Sequence, residues 1–223
     1  MVGVGGLDKQ RLTTACLTRF HEFFDQVIFG SVKIIVENNT DNSTNNHFIP
    51  TLDWENENHF KLRCHELASS LDQIDSLDHL PKAVNRYLNE NDLPKKIVCW
   101  PEFADLNWSD ENLQMEGRSA VGEDKVGLTG SYCAIAETGT LVMLSGEDQH
   151  ATTSLLPETH IAVVSRSRIL RTMEEAWELI RNETESVPRQ VNFISGPSRT
   201  ADIEMTLVYG AHGPYRVHVI ITE

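Results

Sequence analysis

Apolar residues at helical spacing open the chain. Leu12, Cys16, Leu17, Phe20, Phe23, Phe24, Val27 and Ile28 recur at intervals of three and four and predict a helix over about residues 8–29, with Gly30 placed to end it. The polar tract ENNTDNSTNN, 37–46, has too little apolar surface to pack and predicts an exposed loop. Two more helical patterns follow, over 56–71 with Phe60, Leu67 and Leu71 apolar, and over 77–90 with Leu80, Val84, Tyr87 and Leu88. The run KKIVCW, 95–100, predicts a strand closed by Pro101.

After Gly122 the pattern shortens. GLTGSYCAIAETGTLVMLSG, 127–146, holds two β-rich runs around Thr138-Gly139 and predicts a hairpin. HIAVV, 160–164, predicts a buried strand, and Thr172 with Glu175 forms a capping box that opens a helix carrying Ala176, Leu179 and Ile180. VNFIS, 191–195, predicts a strand, residues 201–209 a short helix, and RVHVIIT, 216–222, a last strand. Strands alternating with helices predict an α/β sandwich whose sheet is mixed because of the hairpin.

Length and composition fit that picture. At 223 residues the chain suits one domain, and 40% apolar with 23% charged residues is an ordinary globular balance. The net charge of −14 repels phosphate backbones and anionic membrane surfaces, which argues against nucleic-acid binding. The four cysteines, Cys16, Cys64, Cys99 and Cys133, are too far apart for the close pairs of iron–sulfur and structural zinc sites. No apolar run approaches a membrane span, and no basic segment leads into an apolar one at the start. A reduced, cytoplasmic protein is expected.

Three glycine-punctuated stretches are candidates for chemistry. In FISGPSRTADIE, 193–204, a strand breaks at Gly196-Pro197, and Thr200 is placed to cap a helix with Asp202 and Glu204 in its first turn. Arg199 beside such a helix end suits an anion, with Ser198 and Thr200 as donors; the alternative is that Arg199 pairs with Asp202 and the hydroxyls only cap. In AETGT, 136–140, Glu137 is a base or nucleophile if it faces a pocket and merely solvated if it sits at the hairpin tip. In GAHGP, 210–214, His212 is a candidate proton carrier or anion donor. The nine histidines form no H-x-H or H-E-x-x-H pattern, so no metal is predicted. Gly3-Val4-Gly5-Gly6 lacks the preceding strand of a dinucleotide fingerprint, and no Walker-type sequence occurs.

Taken together, DKVGLTGSYCAIAETGTLVML (124–144), SLLPETHIAVV (154–164), FISGPSRTADIE (193–204) and GAHGP (210–214) resemble the lactate utilization protein C family of the LUD-domain group, with LNW at 106–108 a weaker match. The resemblance implies a fold similar to the sugar-phosphate isomerase and CoA-transferase superfamily, a three-layer α/β/α arrangement. It also implies a place in a bacterial system that oxidises L-lactate to pyruvate with iron–sulfur partner proteins, this chain carrying no cofactor of its own. Two alternatives stand beside it: an enzyme or binder for a phosphorylated or CoA-linked organic acid, and a non-catalytic assembly subunit that self-associates through its aromatic N-terminal helix. Convergence of the three stretches would put Thr138, Gly139, Thr140, Ser195, Gly196, Ser198, Arg199 and Thr200 around a small anionic ligand, with Glu137 and His212 as the proton-transfer candidates.

Overall fold

The computed structural model describes residues 54–223 apart from 186–187, 203–205 and 211–212. The helix predicted over 8–29, the tract 37–46 and His212 lie outside the described residues.

The first described helix, α1 (Asn56–Glu66), is followed by strand β1 (Ser70–Ile74) and helix α2 (Leu80–Glu90). Strands β2 (Lys96–Cys99), β3 (Gln114–Gly117), β4 (Val126–Gly130), β5 (Cys133–Ile135) and β6 (Thr140–Leu144) follow. After the short helix α3 (Thr152–Leu155) come β7 (Thr159–Ser165), β8 (Ile169–Leu170) and helix α4 (Met173–Glu183). The chain closes with β9 (Val191–Ile194), β10 (Arg199–Asp202), β11 (Thr206–Tyr209) and β12 (Arg216–Thr222). This is the α/β order that the pattern predicts.

Six strands form the main sheet in the order β1-β12-β7-β4-β2-β3, and every neighbouring pair is parallel. The predicted hairpin is present as β5 and β6, but it belongs to a second sheet, β8-β5-β6-β9, and the mixed pairing is confined there. The division follows from burial. All of β4 and six residues of β7 are buried, as a parallel strand covered on both faces requires. The second sheet turns Ala134, Ala136, Leu141 and Met143 towards the main core and Cys133, Ile135 and Val142 towards Ala176 and Ile180 of α4. A hairpin with two apolar faces is satisfied only between two layers.

Helix α2 carries Leu80, Val84, Tyr87 and Leu88 at helical spacing, all buried, and covers the face of the main sheet that bears His218. Each fully buried leucine of this kind stabilises the fold by about 1.5–3 kcal/mol relative to an exposed one. On the opposite face, α3 lies directly on β4, where a Cβ on Gly127 would stand 2.1 Å from the Thr153 carbonyl oxygen. Helix α4 opens as predicted, the Glu175 amide donating to Thr172 Oγ1 at 3.4 Å and the Arg171 amide to Glu175 Oε2 at 2.7 Å.

Three sequence expectations are corrected. The helical pattern over 56–71 ends at Glu66, and Ser70–Ile74 is a strand, because Ala68 takes a positive φ of 61° that no helix continues. Residues 199–202 and 206–209 pair antiparallel, Arg199 opposite Tyr209 and Asp202 opposite Thr206, where a short helix was expected. Thr200 therefore lies inside a strand and not at a helix cap. Strand β3 was not anticipated at all; QMEG has little apolar content and finds its place as an edge strand.

Candidate functional site

The AETGT turn is held by one face of α1. Ring nitrogen Nδ1 of His59 donates to the Ala136 carbonyl at 2.8 Å, Arg63 Nε to the Glu137 carbonyl at 2.9 Å, and Cys64 Sγ approaches the Gly139 carbonyl at 3.8 Å. Residues at i, i+4 and i+5 share a helix face, so three side chains satisfy three carbonyls of the turn. Gly139 sits at φ +64°, where an added Cβ would stand 2.8 Å from Arg63 Cβ. Gly196, at φ +78°, meets the end of the same helix: its Cβ would stand 2.8 Å from the Leu67 carbonyl oxygen. Arg199 donates to that same carbonyl. A helix C-terminus is electronegative, which attracts a guanidinium there and disfavours an anion.

The other motif residues surround this contact. Thr138 Oγ1 and Thr140 Oγ1 are 2.7 Å apart, and Thr140 Oγ1 and Ser195 Oγ 2.8 Å, a line of hydroxyls that satisfy one another. The Ser198 amide donates to the Pro214 carbonyl at 2.9 Å and the Gly210 amide to the Ser198 carbonyl at 3.0 Å. The three stretches thus meet, and the first two meet on the C-terminal end of α1. Glu137 is half-buried, its amide donating to the Arg171 carbonyl at 3.1 Å.

A cleft of about 510 Å³ opens at the other end of β6 and β9. Its polar lining is Ser119, Ser145, Gln149, His150, Thr152 and Arg189, with Gln190 beside them. None of the sequence-predicted site residues lines it. Its walls come from four segments: the exit of β3, the exit of β6, the approach to α3 and the entry to β9. They are pinned by the Ser145 amide donating to the Gln190 carbonyl (3.0 Å) and the Gln190 amide donating to Ser145 Oγ (2.9 Å). Indole Nε1 of Trp100 donates to the His150 carbonyl at 3.2 Å and ties the cleft to the carboxyl end of β2.

That end of the sheet is a topological switch point. The chain leaves β2 towards the edge strand β3 and leaves β4 towards β7, so the connections diverge between adjacent strands. Ligands of open α/β sheets bind in such a crevice, at the carboxyl ends of the strands. Glu102 stands there, and burial pushes its carboxyl above the usual carboxylate range. A Cβ on Gly130, at the end of β4, would lie 2.9 Å from Glu102 Oε1 and 3.4 Å from the Trp100 ring. The signal for Glu102 in the sequence is only a carboxylate just after a strand and a proline.

Two further polar groups are buried in the main sheet. His218 is stacked on Tyr87 at 3.9 Å; its Nδ1 lies 2.8 Å from Ser70 Oγ and its Nε2 3.4 Å from Asp72 Oδ2, an ion-pair distance. Arg86 holds the same Asp72 oxygen at 2.6 Å. On the other face His160 Nε2 lies 2.8 Å from Thr129 Oγ1, and burial pushes its pKa down to about 3. Among the described residues no cluster of His, Cys, Asp and Glu is arranged to hold a metal, and no helix is long and apolar enough to cross a membrane.

Comparison with known proteins places this architecture. The LUD domain matches residues 80–222. A lactate utilization protein C from Geobacillus sp. (strain WCH70) is 37% identical over 129 residues, 56% of this chain and 54% of the relative. The lactate utilization protein C of Halalkalibacterium halodurans is 31% identical over 177 residues, 72% of this chain and 76% of the relative. The chain spans about half the length of most of the curated relatives it matches. The crystal structure of a DUF162 family protein from Deinococcus radiodurans shares the fold, with a TM-score of 0.55 and 23% identity over 75% of this chain and 96% of that one. The hairpin, the three glycine-bearing turns and five of the six strands of the parallel sheet fall within the matched region, and the chain belongs to the LUD-domain family.

Proposed function

We propose that this chain is a component of a bacterial system that oxidises L-lactate to pyruvate. The observation that carries the reading is its similarity to lactate utilization protein C along 76% of the Halalkalibacterium halodurans protein. Oxidation of lactate releases two electrons and two protons, and the electrons need an acceptor. Iron–sulfur partner proteins fill that role in this reading, while the chain itself binds and orients the acid. The negative net charge of −14 suits association with proteins and small molecules over nucleic acid.

The test is reconstitution. The chain is combined with its two iron–sulfur partners, and lactate-dependent reduction of an artificial acceptor is followed. Omission of this chain is expected to abolish or strongly reduce turnover. Equal rates with and without it would overturn the proposal.

A second reading, an enzyme for a phosphorylated or CoA-linked acid, is favoured by the raised carboxyl of Glu102 at the switch point, which suits a general acid or base. Under it, Glu102→Gln abolishes turnover of such an acid while the melting temperature is kept. Unchanged turnover would remove Glu102 from that role.

A further inference from the structure

The cleft differs in charge from the rest of the chain. The sequence has 33 acidic against 19 basic residues, yet no carboxylate lines the cleft and one guanidinium does. That guanidinium, Arg189, makes no ion pair or hydrogen bond with any other described residue. Arg63, Arg86, Arg118, Arg166 and Arg168 each hold a carboxylate at 2.6–2.7 Å. Arg189 is exposed at the wall of the cleft, and a guanidinium there presents the planar fork that pairs with a carboxylate or phosphate from outside.

The remaining lining is suited to the same ligand. Ser119 and Thr152 bring hydroxyls, Gln149 and Gln190 amides, and His150 an imidazole ring. The only apolar side chains in the lining are the small Ala120 and Ala151, so the cleft offers a ligand no large hydrophobic side chain. Its volume of about 510 Å³ lies within the range of small-molecule sites, about 300–1,000 Å³. The rim is fixed on both sides, by the Ser145–Gln190 bonds and by the Trp100 indole on the His150 carbonyl, so little ordering is needed on binding.

We propose that this cleft binds a small oxyanion ligand, a carboxylate or phosphate group on a short polar chain, with Arg189 meeting the anionic oxygens. The assignment concerns the head group and stands on the cleft alone, independently of the lactate reading.

The test is calorimetric titration of the full chain with L-lactate, pyruvate and inorganic phosphate. At least one is expected to bind saturably, and Arg189→Gln is expected to weaken that binding at least tenfold at unchanged melting temperature. Arg181→Gln, which removes an exposed cation of α4 outside the cleft lining, is expected to leave it within twofold. Binding of lactate or pyruvate alone identifies a carboxylate site. Binding of phosphate alone upholds the cleft and counts against lactate as this chain's ligand. No binding of any probe, binding indifferent to Arg189→Gln, or equal losses in the two variants would overturn the proposal. Lactate oxidation that persists without this chain leaves these results untouched, so the two proposals fail separately.

Discussion

Gly139 and Arg63 are packed as closely as the absence of a side chain permits. A Cβ on Gly139 would stand 2.8 Å from Arg63 Cβ and 3.0 Å from the backbone of Arg63 and Cys64, and the φ of +64° is itself costly for any residue with a Cβ. Gly139→Ala is therefore expected to destabilise the fold by about 1–3 kcal/mol through overpacking. Gly122, with nothing within 4 Å, is the matched control, and Gly122→Ala is expected to stay within about 0.5 kcal/mol of the parent. Urea denaturation of the two variants decides the point; equal midpoints would show that the turn does not need its close seat on α1.

Asp72 ties the sheet to α2 through charge. Burial alone would raise its carboxyl, but the bonds to His218 and Arg86 and their charges outweigh that and hold it below the usual carboxylate range. A depressed folded pKa gives stability that is whole above the unfolded value of about 3.9 and is lost as pH falls through the folded one. Asp72→Asn is expected to cost about 1–2 kcal/mol at pH 7, the lower end because Arg86 is 54% exposed and screened. The difference should begin to shrink as pH falls below about 4 and vanish only once the folded carboxyl is itself protonated. Denaturation midpoints followed from pH 7 down through the acid range measure it, and a difference that does not shrink at all as the pH falls would point to shape and not charge.

His160 acts with the same sign by another route. Its folded pKa of about 3 lies far below that of an unfolded histidine, about 6.5, so the unfolded chain takes up the proton first as pH falls. Stability attached to His160 is full above pH about 6.5 and declines from there until the folded ring itself protonates. His160→Gln is expected to be less stable than the parent at pH 7, with the gap narrowing by up to about 1.4 kcal/mol per pH unit between pH 6.5 and 3. A gap independent of pH would mean that the ring is already charged in the fold.

The described cysteines are expected to be inert. Burial pushes the thiols of Cys64 and Cys133 up to about 12 and that of Cys99 up to about 11, and the thiolate is the reactive form. In a Cys16→Ser variant, a thiol reagent at pH 8 should label no cysteine in the native protein and three after unfolding. Rapid labelling of the native chain would show that one of these sites opens.

The sequence and the fold agree most closely where the determinant is local. The hairpin around Thr138-Gly139, the capping box at Thr172 and the apolar stripe of α2 each depend on residues within a few positions of one another. Disagreement begins where a distant partner decides. The helical spacing over 56–71 runs on through Leu71, but Ser70–Ile74 is drawn into the sheet, Ser70 beside His218, 148 residues away. Residues 199–209 carry a plausible cap and acidic first turn, yet Thr200, Thr206, Leu207, Val208 and Tyr209 also suit strands, and pairing with each other wins. The glycines of the motifs were legible as turns, whereas their close approach to α1 required the packed helix. Arg189, His150 and Ser119 lie on separate segments with no spacing to link them, so the cleft has no signature to read in the sequence.

The position of β12 has a consequence for how the protein is made. It lies inside the sheet, flanked by β1 and β7, although β1 leaves the ribosome some 148 residues before the strand that must pair with it. Until β12 emerges, β7 presents an apolar, unpaired edge and β1 has no neighbour at all. Parallel pairs that close so long a loop form slowly, and the waiting edge is open to strands of other chains. Synthesis of this domain therefore passes through an interval in which the apolar edge of β7 waits uncovered for its last strand.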